Sequence, residues 1–316
     1  MISRSCKLGR NRWNGLLLAL VTAAAPVFAS AADAVPRELA VCADPANLPY
    51  SNERQEGFEN RIASLIAADL HTTLRYTWSV QRRSFLRRTL RAGECDVVIG
   101  LPVGLQGVAQ TRPYYASTYV FVTARQRGLQ QALQAQGFDA PVLRTLKIGV
   151  QALGAEGANT PPAGALARRG IVDQVVGFPM WGEENDETPQ ARIVDAVASG
   201  EIDVAVVWGP FAGYFARRHG EALQVTPATA DPQQPALAFR YEMTLGVRRG
   251  DDALLAELQQ ALDRRGPEIR AILNEYGIPQ VAMGTPAAPA GRAAAAAAAA
   301  FGAGQPIAIV AATTGR

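Results

Sequence analysis

"VASGEIDVAVVWG" (residues 197–209) restates a phrase met earlier in the chain, "LRAGECDVVIG" (residues 90–100). In both, a helix-like run closes on Gly-Glu, and one residue later an Asp opens an apolar run rich in β-branched residues. Gly93 and Gly200 stand 107 positions apart, and so do Asp96 and Asp203. A glycine past the last helical turn followed by a short, continuous apolar run reads as a helix ending and a buried parallel strand beginning. Two copies at one offset imply two similar units.

Working outward from each phrase supports this. Before the first lie "ELAVCAD" (38–44), a strand, and "GFENRIASLIAADL" (57–70). In the latter, Phe58, Ile62, Leu65, Ile66 and Leu70 recur at helical spacing. "LRYTWSV" (74–80) reads as a strand and "RRSFLRRTLRAGE" (82–94) as a helix with Phe85, Leu86, Thr89 and Leu90 inward. "CDVVIGL" then gives the third strand, completing βαβαβ. Before the second phrase lie a strand "TLKIGVQ" (145–151) and "ANTPPAGALARRG", whose Asn159 or Thr160 caps a helix with prolines in its first turn. "VVGFPM" is the next strand, "PQARIVDAVASGE" a helix, and "IDVAVVW" the buried strand. Afterwards "ALAFRYEMTLGVRRG" (236–250) reads as a strand returning to the first unit. Two helices follow, "DDALLAELQQALDRRG" and "PEIRAILNEYGIP", the second with Pro267 at its start and Gly277 past its end.

A chain of 316 residues can bury two cores. Its formal charge of +3 misleads, because Arg4, Lys7, Arg10 and Arg12 precede "GLLLALVTAAAPVFASAA" with no acid before Asp33. A basic start, a short apolar core and small residues at Ala29-Ser30-Ala31 read as a secretory signal peptide over 1–31, too short and alanine-rich for a membrane span. Its removal leaves 27 basic and 28 acidic residues. Neither nucleic acid nor an anionic membrane is an expected partner on that balance, and no stable membrane span remains. The expected organisation is a first lobe over 37–122 and 241–280, a second lobe over 123–240, and a low-complexity alanine-rich tail over 284–316.

Outside the signal, Cys42 and Cys95 permit one disulfide; the alternative is two buried small hydrophobes at strand starts. Strand register offsets the two by about three residues, roughly 10 Å, beyond disulfide reach. His71 and His219 are the only histidines, with no metal-ligand spacing, no nucleophile elbow and no phosphate-cradling loop. No catalytic residue, metal or cofactor is expected.

Two α/β lobes, two crossing segments and an export signal outline an α/β, two-lobed type II periplasmic binding protein fold. Each lobe is a βαβαβ-based, mostly parallel sheet, and ligands bind at the carboxyl ends of such strands, here in a cleft between the lobes. The segments that would line the cleft are 44–52, 100–106, 151–160, 181–188 and Trp208-Gly209-Pro210. The type II solute-binding fold is a resemblance spanning roughly residues 37–280. A narrower one is carried by "GFENRIA", "CDVVIGLPVG", "PYYASTYVFV", "GANTPPAGALARRGIVDQVVGF", "ARIVDAVASGEIDVAVVWGPFAGYFARR" and "LGVRRGDDALLAEL". In order over most of the mature chain, these resemble the MxaJ/XoxJ-type accessory proteins found beside PQQ-dependent methanol dehydrogenases. That resemblance implies a periplasmic, non-catalytic protein serving such a dehydrogenase, which would be its partner.

Amino-acid binders of this fold resemble one another in two charged contacts, and this chain departs from both. An Arg after the third strand pairs the ligand carboxylate; here "PVGLQGVAQTRPYY" holds none before Arg112. An Asp five residues after the Asp of the repeated phrase binds the ligand ammonium; five beyond Asp203 stands Trp208. Without either charge a desolvated cleft has nothing to offer a free amino acid. The remaining candidates for the cleft are Asp44, Leu48, Tyr50, Leu101, Pro102, Tyr114, Tyr115, Asn159, Thr160, Trp181 and Trp208, an aromatic and apolar set suited to a protein surface. Tyr119, within a strand, reads rather as packing. A small uncharged or weakly polar ligand, delivered to an importer, is the alternative. "EENDE" (183–187) reads as a solvated acidic loop, and "RRSFLRR" (82–88) as the wet face of a helix.

Overall fold

The computed structural model describes residues 37–82, 84–153, 158–180, 188–228 and 239–284. The proposed signal peptide, Trp181, the "EENDE" loop and all of the alanine-rich tail beyond Gly284 lie outside them.

The first unit runs β1 (Glu38–Ala43), a small hairpin of β2 (Ala46–Asn47) and β3 (Ser51–Asn52), α1 (Phe58–Asp69), β4 (Thr73–Trp78), α2 (Phe85–Arg88) and β5 (Val97–Pro102), with β6 (Ala109–Gln110) after it. The long β7 (Tyr115–Ala124) and α3 (Gln130–Gln136) lead to the second unit. There β8 (Ile148–Leu153), β9 (Ala158–Asn159), α4 (Pro161–Arg168), β10 (Val175–Pro179), α5 (Arg192–Ser199), β11 (Val204–Trp208), α6 (Gly209–Ala216) and β12 (Leu223–Pro227) follow in turn. The chain returns through β13 (Arg240–Val247) and ends in α7 (Asp252–Arg264) and α8 (Gly266–Glu275).

In each lobe the first strand of the unit lies between the other two, all parallel: β4-β1-β5 and β10-β8-β11. An antiparallel strand then closes each inner flank, β13 beside β5 and β7 beside β11. β7 joins the lobes, pairing through residues 115–118 with β13 and through 119–124 with β11 and β12. The architecture is thus the two-lobed α/β fold, and the repeated phrase performs the same task in both lobes. Gly93 and Gly200 each cap a helical segment at a left-handed conformation, φ +83° and +79°, that favours glycine. The Asp96 carboxylate accepts the Ala40 N–H at 3.0 Å, and Asp203 accepts the Lys147 N–H at 2.8 Å. In return the Asp96 and Asp203 N–H groups donate to the Ala40 and Lys147 carbonyls.

Two expectations need correction. The helix expected over 82–94 is only the single turn of α2, followed by a 3-10 turn, Leu90–Ala92. Ser84 sits at φ +79°, delaying the start, and Thr89 breaks the helix at φ −112°, ψ −89° while its hydroxyl donates to the Phe85 carbonyl at 2.7 Å. Second, the expected distance between Cys42 and Cys95 is too long: of the two alternatives the disulfide is the one that forms, with Cα atoms 5.5 Å apart. The three-residue register offset holds, since Cys42 faces Val98. Cys95, however, precedes β5 and lies in the bend that brings Asp96 back to Ala40, so extended-strand distances do not apply. The bridge sits in a small second core with Phe85, Leu86 and Leu90, separate from the main one.

Candidate functional site

The carboxyl ends of the parallel strands in both lobes converge, and the loops there are built by polar side chains turned inward. Asp44, directly after β1, is 4% exposed and accepts the Ala46 N–H at 2.9 Å and the Gln81 N–H at 2.6 Å. Its carbonyl accepts the Ser51 hydroxyl at 2.8 Å. Burial pushes its carboxyl above the ordinary range, while those two N–H groups and nearby Arg82 oppose the shift. Asp44 thereby fixes the hairpin that carries Leu48, Pro49 and Tyr50.

Trp208 ends β11 directly opposite Tyr119 of β7. Its backbone N–H donates to the Gln151 side-chain oxygen at 2.9 Å. Its indole N–H donates to the Tyr50 hydroxyl at 2.6 Å, a bond between the two repeated units. Its ring meets Tyr119 and Tyr241 edge-on, with centroids 5.4 and 5.5 Å away. Tyr50 in turn packs on Phe58 and Phe211 at 5.0 and 5.3 Å. A buried aromatic with its polar tip satisfied combines a large apolar burial with a fixed orientation. A second bond between the units runs from the Gln190 amide to the Asn47 side-chain oxygen at 3.2 Å.

Glu59 is the functional-looking residue that helical spacing alone passes over. It is the second residue of α1, next to the buried Phe58, and is itself 7% exposed. Its carboxyl lies against the backbone of Gly100, where a Cβ would come within 1.8 Å of Oε1 and where φ is +74°. Burial pushes this carboxyl well above its usual range, so it favours the neutral acid. Tyr50, Tyr114 and Tyr115 surround it closely enough for a charge on Glu59 to raise their hydroxyls further, on top of burial. A Gly within the apolar strand "DVVIGLP" is the sequence signal that something approaches that backbone.

The residues expected to line an open aromatic cleft are largely interior. Tyr50, Tyr115, Leu101, Trp208 and Leu48 are between 2% and 6% exposed, Pro102 is buried, and Tyr114 is half-buried. They bury one another where the strand ends meet, and Trp208, where an ammonium-binding carboxylate was looked for, is a ring turned inward. Thr160 is the N-cap residue of α4 and is buried; Asn159 lies in β9. Arg112, the first arginine after β5, points to α7, where it pairs with Asp263 at 2.6 Å. Several buried polar atoms at or beside this floor lack a partner among the described residues: Asn60 Nδ2, Tyr115 Oη, Gln151 Nε2, Thr160 Oγ1 and Gln190 Oε1. Among the described residues, no group of three or more His, Cys, Asp or Glu gathers into a metal-binding cluster, and no helix is long and apolar enough to cross a membrane.

Residues 39–277 match the family of bacterial extracellular solute-binding proteins, family 3. The chain is 31% identical over 242 residues to Protein MoxJ of Methylorubrum extorquens, covering 73% of this chain and 78% of that one. Among solved structures, it is similar to the periplasmic binding protein XoxJ from Methylobacterium extorquens AM1, with a TM-score of 0.63 and 32% identity over 78% of this chain and 100% of that chain. MxaJ from Methlophaga aminisulfidivorans MPT gives a TM-score of 0.64 and 27% identity, over 77% of this chain and 100% of that one.

Proposed function

The chain belongs to the bacterial extracellular solute-binding proteins, family 3, in its MxaJ/XoxJ type, and from that premise we propose a non-catalytic periplasmic accessory of a PQQ-dependent methanol dehydrogenase. It would support maturation, activation or docking of that enzyme through protein contact. The resemblance to MxaJ/XoxJ-type proteins supplies the partner, and the basic, alanine-rich N-terminus supplies the route of export. The single observation that carries the reading is the bond from the Trp208 indole to the Tyr50 hydroxyl, 2.6 Å long and buried. A receptor for amino acids needs a charged group at that place, and this chain fills it with its own ring. Closing the floor on itself leaves no charge complementarity for a zwitterion.

The alternative, a receptor for an uncharged or weakly polar solute, draws on the unpartnered Gln151 and Gln190 atoms beside the same floor. One experiment separates the two. The mature protein is immobilised and exposed to purified holo-dehydrogenase, and in parallel titrated calorimetrically with amino acids, polyols and small alcohols. Saturable capture of the dehydrogenase with silent titrations is the expected outcome. Micromolar heat from a small solute with no capture would overturn the accessory reading in favour of the receptor.

A further inference from the structure

With the aromatic floor turned inward, a protein partner must be met elsewhere, and one face of the first lobe is built unlike the rest of the surface. From Leu70 to Gly93 the chain carries six arginines and no Asp or Glu; of the six, Arg75 pairs with Glu38 at 2.6 Å and Arg83 lies outside the described residues. The remainder of the mature chain holds 21 basic and 28 acidic residues, so the cluster is not a sample of a generally basic surface. On the structure, Arg82, Arg87, Arg88 and Arg91 are exposed on the loop and short helical turns that cover one face of β1 and β5.

Elsewhere in this lobe most arginines find carboxylates, with Arg249 and Arg270 as isolated exceptions among the described residues. Arg37 pairs with Glu257, Arg61 with Glu275, Arg112 with Asp263 and Arg248 with Asp96, and Arg264 and Arg265 share Asp69. Among the described residues neither Arg87 nor Arg88 forms an ion pair. Arg91 donates to the Gln106 carbonyl at 2.8 Å, and Arg82 lies near enough to the buried Asp44 carboxyl to oppose its upward shift. The scaffold beneath is stiff for its size. Phe85, Leu86 and Leu90 anchor it from above, and the Cys42–Cys95 bridge ties the end of the segment to β1. Arginines held on a stapled turn lose less freedom on binding than the same charges on a loose loop.

We propose that this arginine face of α2 and its flanking turns is the docking surface for an acidic, carboxylate-bearing protein surface. Resting on the function proposed above, that surface belongs to the dehydrogenase. Guanidinium groups without internal partners are free to form bidentate pairs with carboxylates. A protein fits better than an anionic bilayer. The excess of seven acids over the rest of the mature chain is repelled by a bilayer at every approach, whereas a protein can present carboxylates to this face alone.

The test is the affinity of the mature, disulfide-intact chain for purified holo-dehydrogenase at low and moderate salt. The parent is compared with Arg87→Glu/Arg88→Glu and with the charge-matched control Arg249→Glu/Arg270→Glu, at exposed sites outside the face. Circular dichroism and thermal midpoints check that both variants fold. Expected are binding that weakens with salt for parent and control, and a loss of roughly tenfold or more with a flatter salt dependence for the α2 variant. Equal binding by all three overturns the docking face and leaves the accessory function standing. A parent that never binds the dehydrogenase overturns the function and the face with it. Loss of binding to anionic phospholipid vesicles, with dehydrogenase affinity unchanged, would reassign the face to a membrane and overturn the protein partner.

Discussion

The two lobes solve one structural problem in two ways. Cys42 and Cys95 join β1 to the bend before β5, and the residues 107 positions further on are Gly149 and Ile202. The register is the same in both lobes: Val41 faces Val97, and Ile148 faces Val204. In the second lobe the Ile202 side chain lies over Gly149, so close that a Cβ there would meet its Cδ1 at 2.5 Å. The difference follows from what each helix can bury. α5 has eight residues and buries Ile193, Val194, Ala196 and Val197, so a packed isoleucine completes its layer. α2 has four residues and buries two. A short turn cannot supply that area, and a covalent link takes its place.

Removing the bridge gives the largest effect. Closing a loop across a sequence separation of 53 corresponds to about 4 kcal/mol on chain-entropy grounds, so Cys42→Ala/Cys95→Ala should lower the urea-derived stability by roughly that much. Ile202→Ala, the counterpart in the second lobe, should cost about 2–4 kcal/mol through the cavity it leaves. If losing both sulfurs costs less than about 1 kcal/mol, the first lobe is held by packing alone and the contrast collapses.

A second difference lies at the helix starts. α1 carries Glu59 at its second position, buried against Gly100, where α4 carries Pro162. The folded state holds the Glu59 proton more tightly than the unfolded chain does, because burial raises its folded pKa above the ordinary 4.5. This group therefore costs nothing at pH below 4.5, and stability falls as the pH climbs from there towards the raised folded value. Glu59→Gln keeps the shape without the charge. Its stability relative to the parent should be nearly constant at low pH and should then gain about 1.4 kcal/mol per pH unit within that window. Parallel curves for the two proteins would show that Glu59 is solvated when ionised.

The bond between the units gives a smaller effect. Tyr50→Phe leaves the buried Trp208 indole N–H without its acceptor, at a cost of about 1–3 kcal/mol with little change in volume. Thermal unfolding of the variant measures it, and an unchanged midpoint would mean water replaces the hydroxyl.

The architecture was legible because it depends on patterns the chain states twice: apolar runs, helical spacing, and Gly and Asp at one offset. The bridge was legible only as one of two alternatives, since Cys95 belongs to a bend and strand arithmetic assumes an extended chain. The floor was half legible. Counting from Asp203 singled out Trp208, which lies in the floor, but an aromatic at a strand end reads alike whether it faces solvent or Tyr50. Glu59 was hidden because a carboxylate in a first helical turn is ordinarily a solvated partner of the helix dipole. Only the approach to Gly100, 41 positions away in sequence, turns it inward.

The smallest predicted effect tests whether the repeated phrase does one job. Asp96 and Asp203 each accept a backbone N–H from the start of the neighbouring strand, and each also meets an arginine, Arg248 at 3.2 Å and Arg127 at 2.8 Å. The arginine pairs are partly exposed and add little. The backbone bond dominates, because without it the N–H of Ala40 or of Lys147 loses its side-chain acceptor at the strand entrance. Asp96→Ala and Asp203→Ala should therefore each cost about 1 kcal/mol, nearly equal, with the loss little affected by salt. Amide exchange at Ala40 and Lys147 should quicken in the matching variant only. If one substitution is silent while the other is costly, the two phrases share a spelling but not a function. If both losses vanish in high salt, the arginines and not the strand N–H groups are what the aspartates serve.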